Sequence, residues 1–167
     1  ADQLLGNGRM ISRWPLRTGA LVVSDTVYIA AGMWPAEGIY LYALNAETGD
    51  VVWKNDSSGE LFRLQPHGGA AAFTGVCPQG YLLASGGVLL VPSGRSTPAA
   101  FDLRTGRLRY YQPYLYEVPY DPEGWGNRGN GGSWAVIAGE VFLNAARPGG
   151  GPEIGERVGE YEPDKSD

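Results

Sequence analysis

The amino-acid sequence predicts an all-β fold made of repeated four-stranded antiparallel units. Two patterns point to it: a motif that recurs after 57 residues, and three paired apolar runs, each pair joined by a short turn. The composition agrees, because 26 glycines and 12 prolines supply turns while 10 tyrosines and 5 tryptophans favour strands. Hydrophobic residues make up 43% and charged residues 19%, a balance typical of a folded globular chain.

The recurring motif occupies residues 40–53 in its first copy and residues 98–110 in its second. Four positions correspond at the spacing of 57: Asn45 with Asp102, Thr48 with Thr105, Gly49 with Gly106, and Trp53 with Tyr110. Asparagine, aspartate and threonine bond nearby backbone N–H groups in turns, and glycine accepts a positive φ. The motif therefore predicts a tight turn, followed by an outer strand whose aromatic residue packs over the next unit.

Three segments share a second pattern, at residues 20–29, 81–90 and 133–143. Each contains an apolar run, a short turn with Asp or Gly, and another apolar run, which is typical of a β-hairpin. The first two hairpins each precede one copy of the motif, so each full unit has four strands. Strands are expected near residues 20–24, 27–31, 39–45 and 51–54, and again near residues 81–85, 88–92, 99–102 and 108–111.

The sequence Ala43-Leu-Asn-Ala-Glu-Thr-Gly49, with Trp53 four residues later, resembles the repeat of pyrroloquinoline-quinone (PQQ) type β-propellers, Ala-x-Asp-x-x-Thr-Gly-x-x-x-Trp. The second copy keeps the aspartate but has Tyr110 in place of tryptophan, and the third stops before its motif. The resemblance covers nearly all of residues 19–147. It implies four-stranded blades of a bacterial quinoprotein-like propeller: a first blade at 19–54, a second at 80–111 and the start of a third at 133–147.

Two blades and part of a third do not close a ring, since propellers have about four to eight blades. An open stack exposes sheet surfaces and strand edges to water. The chain is therefore interpreted as a fragment whose partners include the remaining blades of the same protein, with assembly from several copies as the alternative. Residues 148–167, rich in Gly, Glu and Pro, are expected to form a loop or a frayed end.

The family that the motif resembles includes periplasmic dehydrogenases that bind PQQ and calcium, and also binding scaffolds such as a lipoprotein of outer-membrane protein assembly. The enzymes often carry a disulfide between adjacent cysteines, whereas this chain has one cysteine, Cys77. Their calcium ligands have no residue-by-residue match in this sequence. We therefore expect a binding or interaction scaffold without catalytic or metal-binding residues. A fragment of a PQQ-dependent alcohol or aldose dehydrogenase is the alternative, and PQQ and calcium are expected only there.

Charge and hydropathy exclude two classes of partner. The net charge is −5, and a nucleic-acid partner is not expected because phosphate binding needs a basic surface. No run approaches the roughly 20 apolar residues of a membrane-spanning helix. Residues 1–11 lack the charged start and apolar run of a signal peptide. The family resemblance implies a periplasmic or extracellular location.

In a four-stranded blade, the loop between the second and third strands lies on the same face as the link to the next blade. Here these connections are long, at residues 32–38, 55–79, 93–98, 112–132 and from 147 onward. Long loops are typical of binding surfaces, so this long-loop face is the expected site for a protein, glycan or small-molecule ligand. Its candidate ligand-binding residues are Trp34, Glu37, Arg95, Trp125, Asn127, Arg128 and Arg147.

Arginine side chains on this face are suited to carboxylate or phosphate groups, and tryptophan to flat rings. A plainer interpretation pairs the arginines with loop carboxylates such as Glu37 or Glu123. His67, the only histidine, lacks the neighbours of a catalytic triad or metal site. The glycine-rich run at 125–132 lacks a phosphate-binding lysine and is interpreted as a blade link. A sugar-binding or carbohydrate-active role is a third, weaker hypothesis.

Overall fold

The computed structural model describes residues 2–64, 71–73, 75–94, 96–111, 133–139, 141–144 and 153–157. Within these ranges the regular secondary structure is β-strand, apart from one helical segment, the three-residue 3-10 helix Pro35–Glu37. The strands in chain order are β1 (Gln3–Gly6), β2 (Arg9–Ser12), β3 (Thr18–Gly19), β4 (Leu21–Val23), β5 (Thr26–Ala31), β6 (Tyr40–Asn45), β7 (Val51–Asn55), β8 (Phe62–Leu64), β9 (Ala71–Phe73), β10 (Gly80–Tyr81), β11 (Leu83–Ser85), β12 (Val88–Ser93), β13 (Ser96–Asp102), β14 (Leu108–Tyr110), β15 (Ala135–Ala138), β16 (Val141–Asn144) and β17 (Glu153–Arg157).

Two four-stranded antiparallel sheets form the body of the structure. Strands β4 to β7 pair in chain order in the first sheet, and strands β11 to β14 do the same in the second. This is the arrangement of propeller blades, so the prediction of an all-β chain with four-stranded blades is confirmed. Both blades begin with a two-residue hairpin turn, in which Val23 pairs with Thr26 and Ser85 with Val88.

A third sheet contains strands β15, β16 and β17, again antiparallel. Strand β17 lies in the stretch for which the sequence predicted a loop or frayed end. Its Ile154 pairs with Leu143 of β16 in the register. Glycine and glutamate dominate this stretch, so neither its composition nor its periodicity indicated a strand.

The blades pack through the alternating side chains of their strands. In β12, Leu89 and Val91 point toward the first blade, whereas Val88 and Leu90 point toward the third sheet. The first interface is a core of side chains at most 9% exposed: Tyr28, Ala30, Ile39, Leu41, Ala43, Trp53, Val76, Leu82, Leu89, Val91, Ala99 and Phe101. The second joins Val88 and Leu90 to Phe142. A strand buried on both sides needs the continuous apolar run that β12 has.

The links before the first two blades are built alike. Hairpin β1–β2 and then β3 precede the first blade, and hairpin β8–β9 and then β10 precede the second. Strands β3 and β10 pair in parallel, Thr18 with Gly80 and Gly19 with Tyr81. Neither hairpin was predicted. The second falls inside residues 55–79, which were expected to be a plain loop.

The prediction of a long loop at residues 93–98 is wrong. Strand β12 runs to Ser93, and β13 begins at Ser96, which pairs with Ser93. The prolines at both ends suggested a loop because proline lacks the N–H that a sheet uses. Here Pro92 lies between Val91 and Ser93, where the register shifts, and such an irregularity tolerates the missing donor. Gly94, with φ +65°, supplies the sharp turn.

The repeated turn has the same hydrogen bonds in both blades. Asn45 Oδ1 accepts the backbone N–H groups of Glu47 and Thr48 at 2.9 and 2.8 Å. In the second copy, Asp102 Oδ1 accepts the N–H groups at the two equivalent positions, those of Arg104 and Thr105, at 3.1 and 2.8 Å. An amide oxygen and a carboxylate oxygen accept the same two backbone hydrogen bonds in this turn. This explains why one copy has asparagine and the other aspartate at this position.

Asp102 has further partners that Asn45 lacks. The Arg109 guanidinium and the Thr105 hydroxyl both donate to its carboxylate. The hydrogen bond from Arg109 is the larger cause that lowers the pKa of Asp102 well below its usual range. The second turn is therefore stabilised by charge as well as by its shape.

Candidate functional site: the long-loop face

Two glycines lie in close contact at the two ends of the loop between β5 and β6. Gly32 has φ +103° and Gly38 has φ +97°, which favour glycine. A Cβ on Gly32 would collide with the Gly38 carbonyl oxygen, so the two ends of the loop lie in close contact. Between them, the Glu37 N–H donates to the Trp34 carbonyl at 2.9 Å and closes the helical turn. The loop is therefore a compact and well-defined structure.

The segment before the first blade braces this loop from one side. Trp14 Nε1–H donates to the Glu37 carbonyl at 2.7 Å, and its ring meets Tyr40 edge-on, with centroids 5.6 Å apart. Arg13 Nε–H donates to the Glu37 carboxylate at 2.7 Å. This hydrogen bond, with the attraction of the carboxylate, raises the pKa of Arg13. Glu37, a predicted ligand-binding residue, is thus paired with an arginine, although not with one of the predicted arginines.

A cysteine braces the loop from a second segment of the chain. Cys77 Sγ–H donates to the Met33 carbonyl at 3.0 Å, across 44 residues of sequence. The sequence analysis interpreted Cys77 as a small buried residue or a bystander. The thiol is half-buried and acts as a donor to the loop backbone.

Trp34 lies at the outer end of the braced loop. Its side chain is 62% exposed, so most of the indole faces solvent. A ligand that covered this apolar surface would gain free energy from its burial. Trp34 is therefore available for contact with a ligand, whereas its neighbour Glu37 is engaged with Arg13 and Trp14.

A second exposed aromatic group, here called the aromatic pair, consists of Tyr81 and Trp134. Their ring centroids are 5.8 Å apart, and the side chains are 60% and 63% exposed. Tyr81 ends β10, and Trp134 directly precedes β15, so the two residues come from links to successive sheets. Gly19 holds the equivalent position before the first blade, and a side chain there would collide with the Tyr81 ring.

The aromatic pair lies at the long-loop end of the blades. The Gln79 N–H donates to the Pro92 carbonyl at 2.9 Å, which places the link beside the far end of β12. In the first blade the Arg17 N–H donates to the Ala30 carbonyl at 3.1 Å, beside the end of β5. Both strand ends lie where the second strand of a blade turns into the third, although in the second blade this turn is short. The Gly80 and Ser133 backbones are in direct contact, and this contact fixes the relative position of the two rings.

The described structure contains two of the seven predicted ligand-binding residues, Trp34 and Glu37. The others lie outside the described residues: Arg95, Trp125, Asn127, Arg128 and Arg147. His67 lies outside them too. The sequence analysis missed Tyr81 and Trp134. The signal that identifies them is position, since Tyr81 lies two residues before β11 and Trp134 directly precedes β15.

Within the described ranges, no three His, Cys, Asp or Glu side chains come together in a group able to hold a metal ion. Within the same ranges, no helix has the length and apolar character needed to cross a membrane.

No protein-family model matches the chain, and no curated protein matches it. Solved structures are similar to it. A europium-containing methanol dehydrogenase matches 80% of this chain at 18% identity with a TM-score of 0.47, and BamB from Moraxella catarrhalis matches 78% at 17% identity with a TM-score of 0.34. The computationally designed Ika4 protein matches 87% at 11% identity with a TM-score of 0.35.

The chain spans 21% of the length of the dehydrogenase, 47% of BamB and 92% of Ika4. At these identities the similarity concerns the fold, and the four-stranded blades are established by the sheets themselves.

Proposed function

We propose that this chain is a binding scaffold built from quinoprotein-like propeller blades, and that its long-loop face holds a ligand by stacking against exposed aromatic rings. The ligand is a ring-bearing molecule, either a glycan or a small aromatic compound. The aromatic pair carries the proposal, because Tyr81 and Trp134 are neighbouring rings from links to different sheets, and both side chains remain about 60% exposed.

Two adjacent rings present a larger apolar surface than either does alone. Covering apolar surface contributes about 25 cal/mol per Å², and the ring faces favour flat partners such as a pyranose or an aromatic ring. The positions of the rings are set by the backbone contact between Gly80 and Ser133. Because the pair is held by its links, little conformational freedom is lost when a ligand binds.

The remaining predicted residues would supply the polar contacts around this surface. Arg95, Arg128 and Arg147 are suited to acidic groups, Asn127 to hydroxyl groups, and Trp125 to a further ring. Trp34 adds an exposed indole on the same face. A periplasmic or extracellular location, and completion of the propeller by further blades, follow from the resemblance of the repeat and belong to the same proposal.

A fragment of a PQQ-dependent alcohol or aldose dehydrogenase is the second candidate. The motif at residues 40–53 favours it, since that motif resembles the repeat of those enzymes. Among the described residues, no three His, Cys, Asp or Glu side chains come together in a group able to hold a metal ion. Under this alternative the quinone and calcium would require residues from other parts of the protein.

Fluorescence titration of the full-length protein tests the two candidates together. The probes are hexasaccharides of glucose and of N-acetylglucosamine, and PQQ with calcium chloride, followed by a dye-reduction assay on alcohols and aldoses. We expect a saturable change in tryptophan fluorescence with a saccharide and no dye reduction. Stoichiometric binding of PQQ with dye reduction would establish the dehydrogenase instead. The absence of saturable binding to every probe would contradict ring stacking as the function.

A further inference from the structure

One arginine near the aromatic pair has a polar atom that is shielded from water and has no described partner. In the described part of the chain, the Nε atom of Arg17 is buried and forms no hydrogen bond. Arg13 and Arg109, by contrast, each pair with a carboxylate. A buried N–H that has lost water without gaining an acceptor is destabilising. Arg17 therefore marks a place where an acceptor group is expected to bind.

The position of Arg17 brings it close to the aromatic pair. Arg17 directly precedes β3, and its carbonyl accepts the Gly80 N–H at 3.3 Å. The parallel register then sets Gly19 beside Tyr81, whose ring lies 2.9 Å from the position that a Cβ on Gly19 would take. Side chains two residues apart along an extended strand leave it on the same side, about 7 Å apart. The Arg17 side chain thus starts on the side where the Tyr81 ring lies.

The Arg17 side chain is also accessible from outside. The residue as a whole is partly exposed, although its Nε atom is buried. Among the described residues, no side chain forms a hydrogen bond or ion pair that would hold the guanidinium in place. The guanidinium can therefore turn toward a ligand that lies on the neighbouring rings.

The two rings of the aromatic pair meet at an angle. Their planes are inclined at 54°, with the centroids 5.8 Å apart. A flat aromatic compound stacks on one such ring and not on both, because stacking needs nearly parallel planes. Adjacent sugar units of an oligosaccharide are turned relative to each other about the glycosidic oxygen, so each unit can cover one ring. The angle therefore favours an oligosaccharide among the ring-bearing ligands.

An arginine in this position favours an acidic group on that ligand. The guanidinium is always charged, and its planar donors match two oxygens of an oxyanion. Shielding from water strengthens the attraction, because the local dielectric constant is lower. The chain as a whole has a net charge of −5, so an anionic ligand needs a local cation, which Arg17 supplies.

We propose that the ligand of the long-loop face is an acidic oligosaccharide. Two of its sugar units cover Tyr81 and Trp134, and an oxyanion substituent accepts hydrogen bonds from the Arg17 guanidinium. This inference rests on the proposed function, since it names the substrate class of the same site. Carboxylate and sulfate substituents share the required chemistry, and the experiment separates them.

Two pairs of matched ligands measure the contribution of the charge in the full-length protein. Hexagalacturonate carries a carboxylate on every unit, and its fully methyl-esterified form has the same rings without the charge. A sulfated galactose hexasaccharide and its desulfated form are the second pair. Tryptophan fluorescence gives Kd for the unsubstituted protein, Arg17→Gln and Arg104→Gln. Arg104 is the matched control, because it is exposed and lies in the turn between β13 and β14, at the opposite end of the blade from the long loops.

We expect the unsubstituted protein and Arg104→Gln to bind one of the acidic hexasaccharides at least about ten-fold more tightly than its uncharged form. In Arg17→Gln this preference should fall below about three-fold, with Kd for the uncharged form unchanged. Equal Kd for the acidic and uncharged forms of both pairs would overturn this inference and leave ring stacking intact. If none of the saccharides binds saturably, the inference and the proposed function both fail.

A purely structural role for Arg17 would give a different result. If the acceptor came from the protein itself, Arg17→Gln would lower Tm and leave the preference for the acidic form unchanged, and that outcome would overturn the proposal. The comparison of acidic and uncharged ligands needs no substitution. It therefore decides whether charge is recognised even if Arg17→Gln does not fold.

Discussion

The indole of Trp53 lies against Gly106 of the neighbouring blade so closely that no side chain fits between them. Glycine at 106 therefore meets two demands at once, the positive φ of the turn and the contact with the ring. The Trp53 N–H is satisfied by the Leu103 carbonyl at 3.1 Å, which lets a polar group enter the core without an unpaired donor. Trp53 thus links the two blades by shape and by hydrogen bonding.

Replacing Trp53 with alanine should cost about 3–5 kcal/mol of the free energy of unfolding, because it empties the centre of the interface between blades. Trp53→Phe should keep most of the packing and lose the hydrogen bond, at about 1–2 kcal/mol. Val51→Ala is the control, since Val51 is on the same strand and 58% exposed. Urea denaturation measures all three. Equal stability of Trp53→Ala and Val51→Ala would show that the ring does not join the blades.

Asp102 should make the stability of the chain depend on pH in the acid range. Its pKa is lowered in the folded state, chiefly by the hydrogen bond from Arg109, so the folded protein binds fewer protons than the unfolded chain. The stabilisation is complete above the ordinary aspartate pKa of about 3.9 and is lost as the pH falls below it. Between about pH 4 and pH 2, the denaturation midpoint should decline.

Asp102→Asn is a conservative test of this dependence, because Asn45 forms the same turn in the first blade. At neutral pH the variant should lose less than about 1.5 kcal/mol, since Arg109 is 40% exposed and solvent screens the pair. The acid decline in stability should become shallower than in the unsubstituted chain. If the two proteins decline in parallel from pH 4 to pH 2, the carboxylate is not the group responsible.

Substitutions of Trp14 and Trp34 should have different effects on stability, although both residues lie near the long-loop face. Trp14→Ala removes the donor to the Glu37 carbonyl and the edge contact with Tyr40, and should cost about 1–2 kcal/mol. Trp34→Ala removes a side chain that is 62% exposed and should change stability by less than about 0.5 kcal/mol. Thermal unfolding and hydrogen exchange of residues 32–38 distinguish them. If Trp34→Ala lost more stability than Trp14→Ala, Trp34 would be the residue that supports the loop, and its assignment as a ligand-binding residue would be wrong.

The strands of both blades were predictable because their signals are local. Alternation, two-residue turns and the Asn/Asp-Thr-Gly turn each act over a few residues, and every strand end of the two blades lies within three residues of its predicted position. Strand β13 is the least accurate, since it begins at Ser96 and not near residue 99. Prolines near a strand end favour a loop when only the local sequence is considered. The register of the sheet shows instead that an irregularity in strand pairing tolerates the missing N–H donor.

The site was less predictable, because it is assembled from residues far apart in sequence. Trp34 follows from loop length alone, but the pairing of Arg13 with Glu37 spans 24 residues, and nothing near either residue indicates it. Tyr81 and Trp134 meet only because Gly80 and Ser133 lie in contact. Distances of this kind depend on how blades stack, which the pattern of a single blade does not determine.

The central claim is that a ligand binds the long-loop face by stacking on the aromatic pair. Its most direct test compares Kd for the hexasaccharide that binds best in the unsubstituted protein, in Trp134→Ala, and in Val51→Ala as an exposed control. The account predicts about ten-fold weaker binding by Trp134→Ala, with unchanged Tm, and no change for Val51→Ala. Equal affinity in all three proteins would contradict it and place the ligand elsewhere.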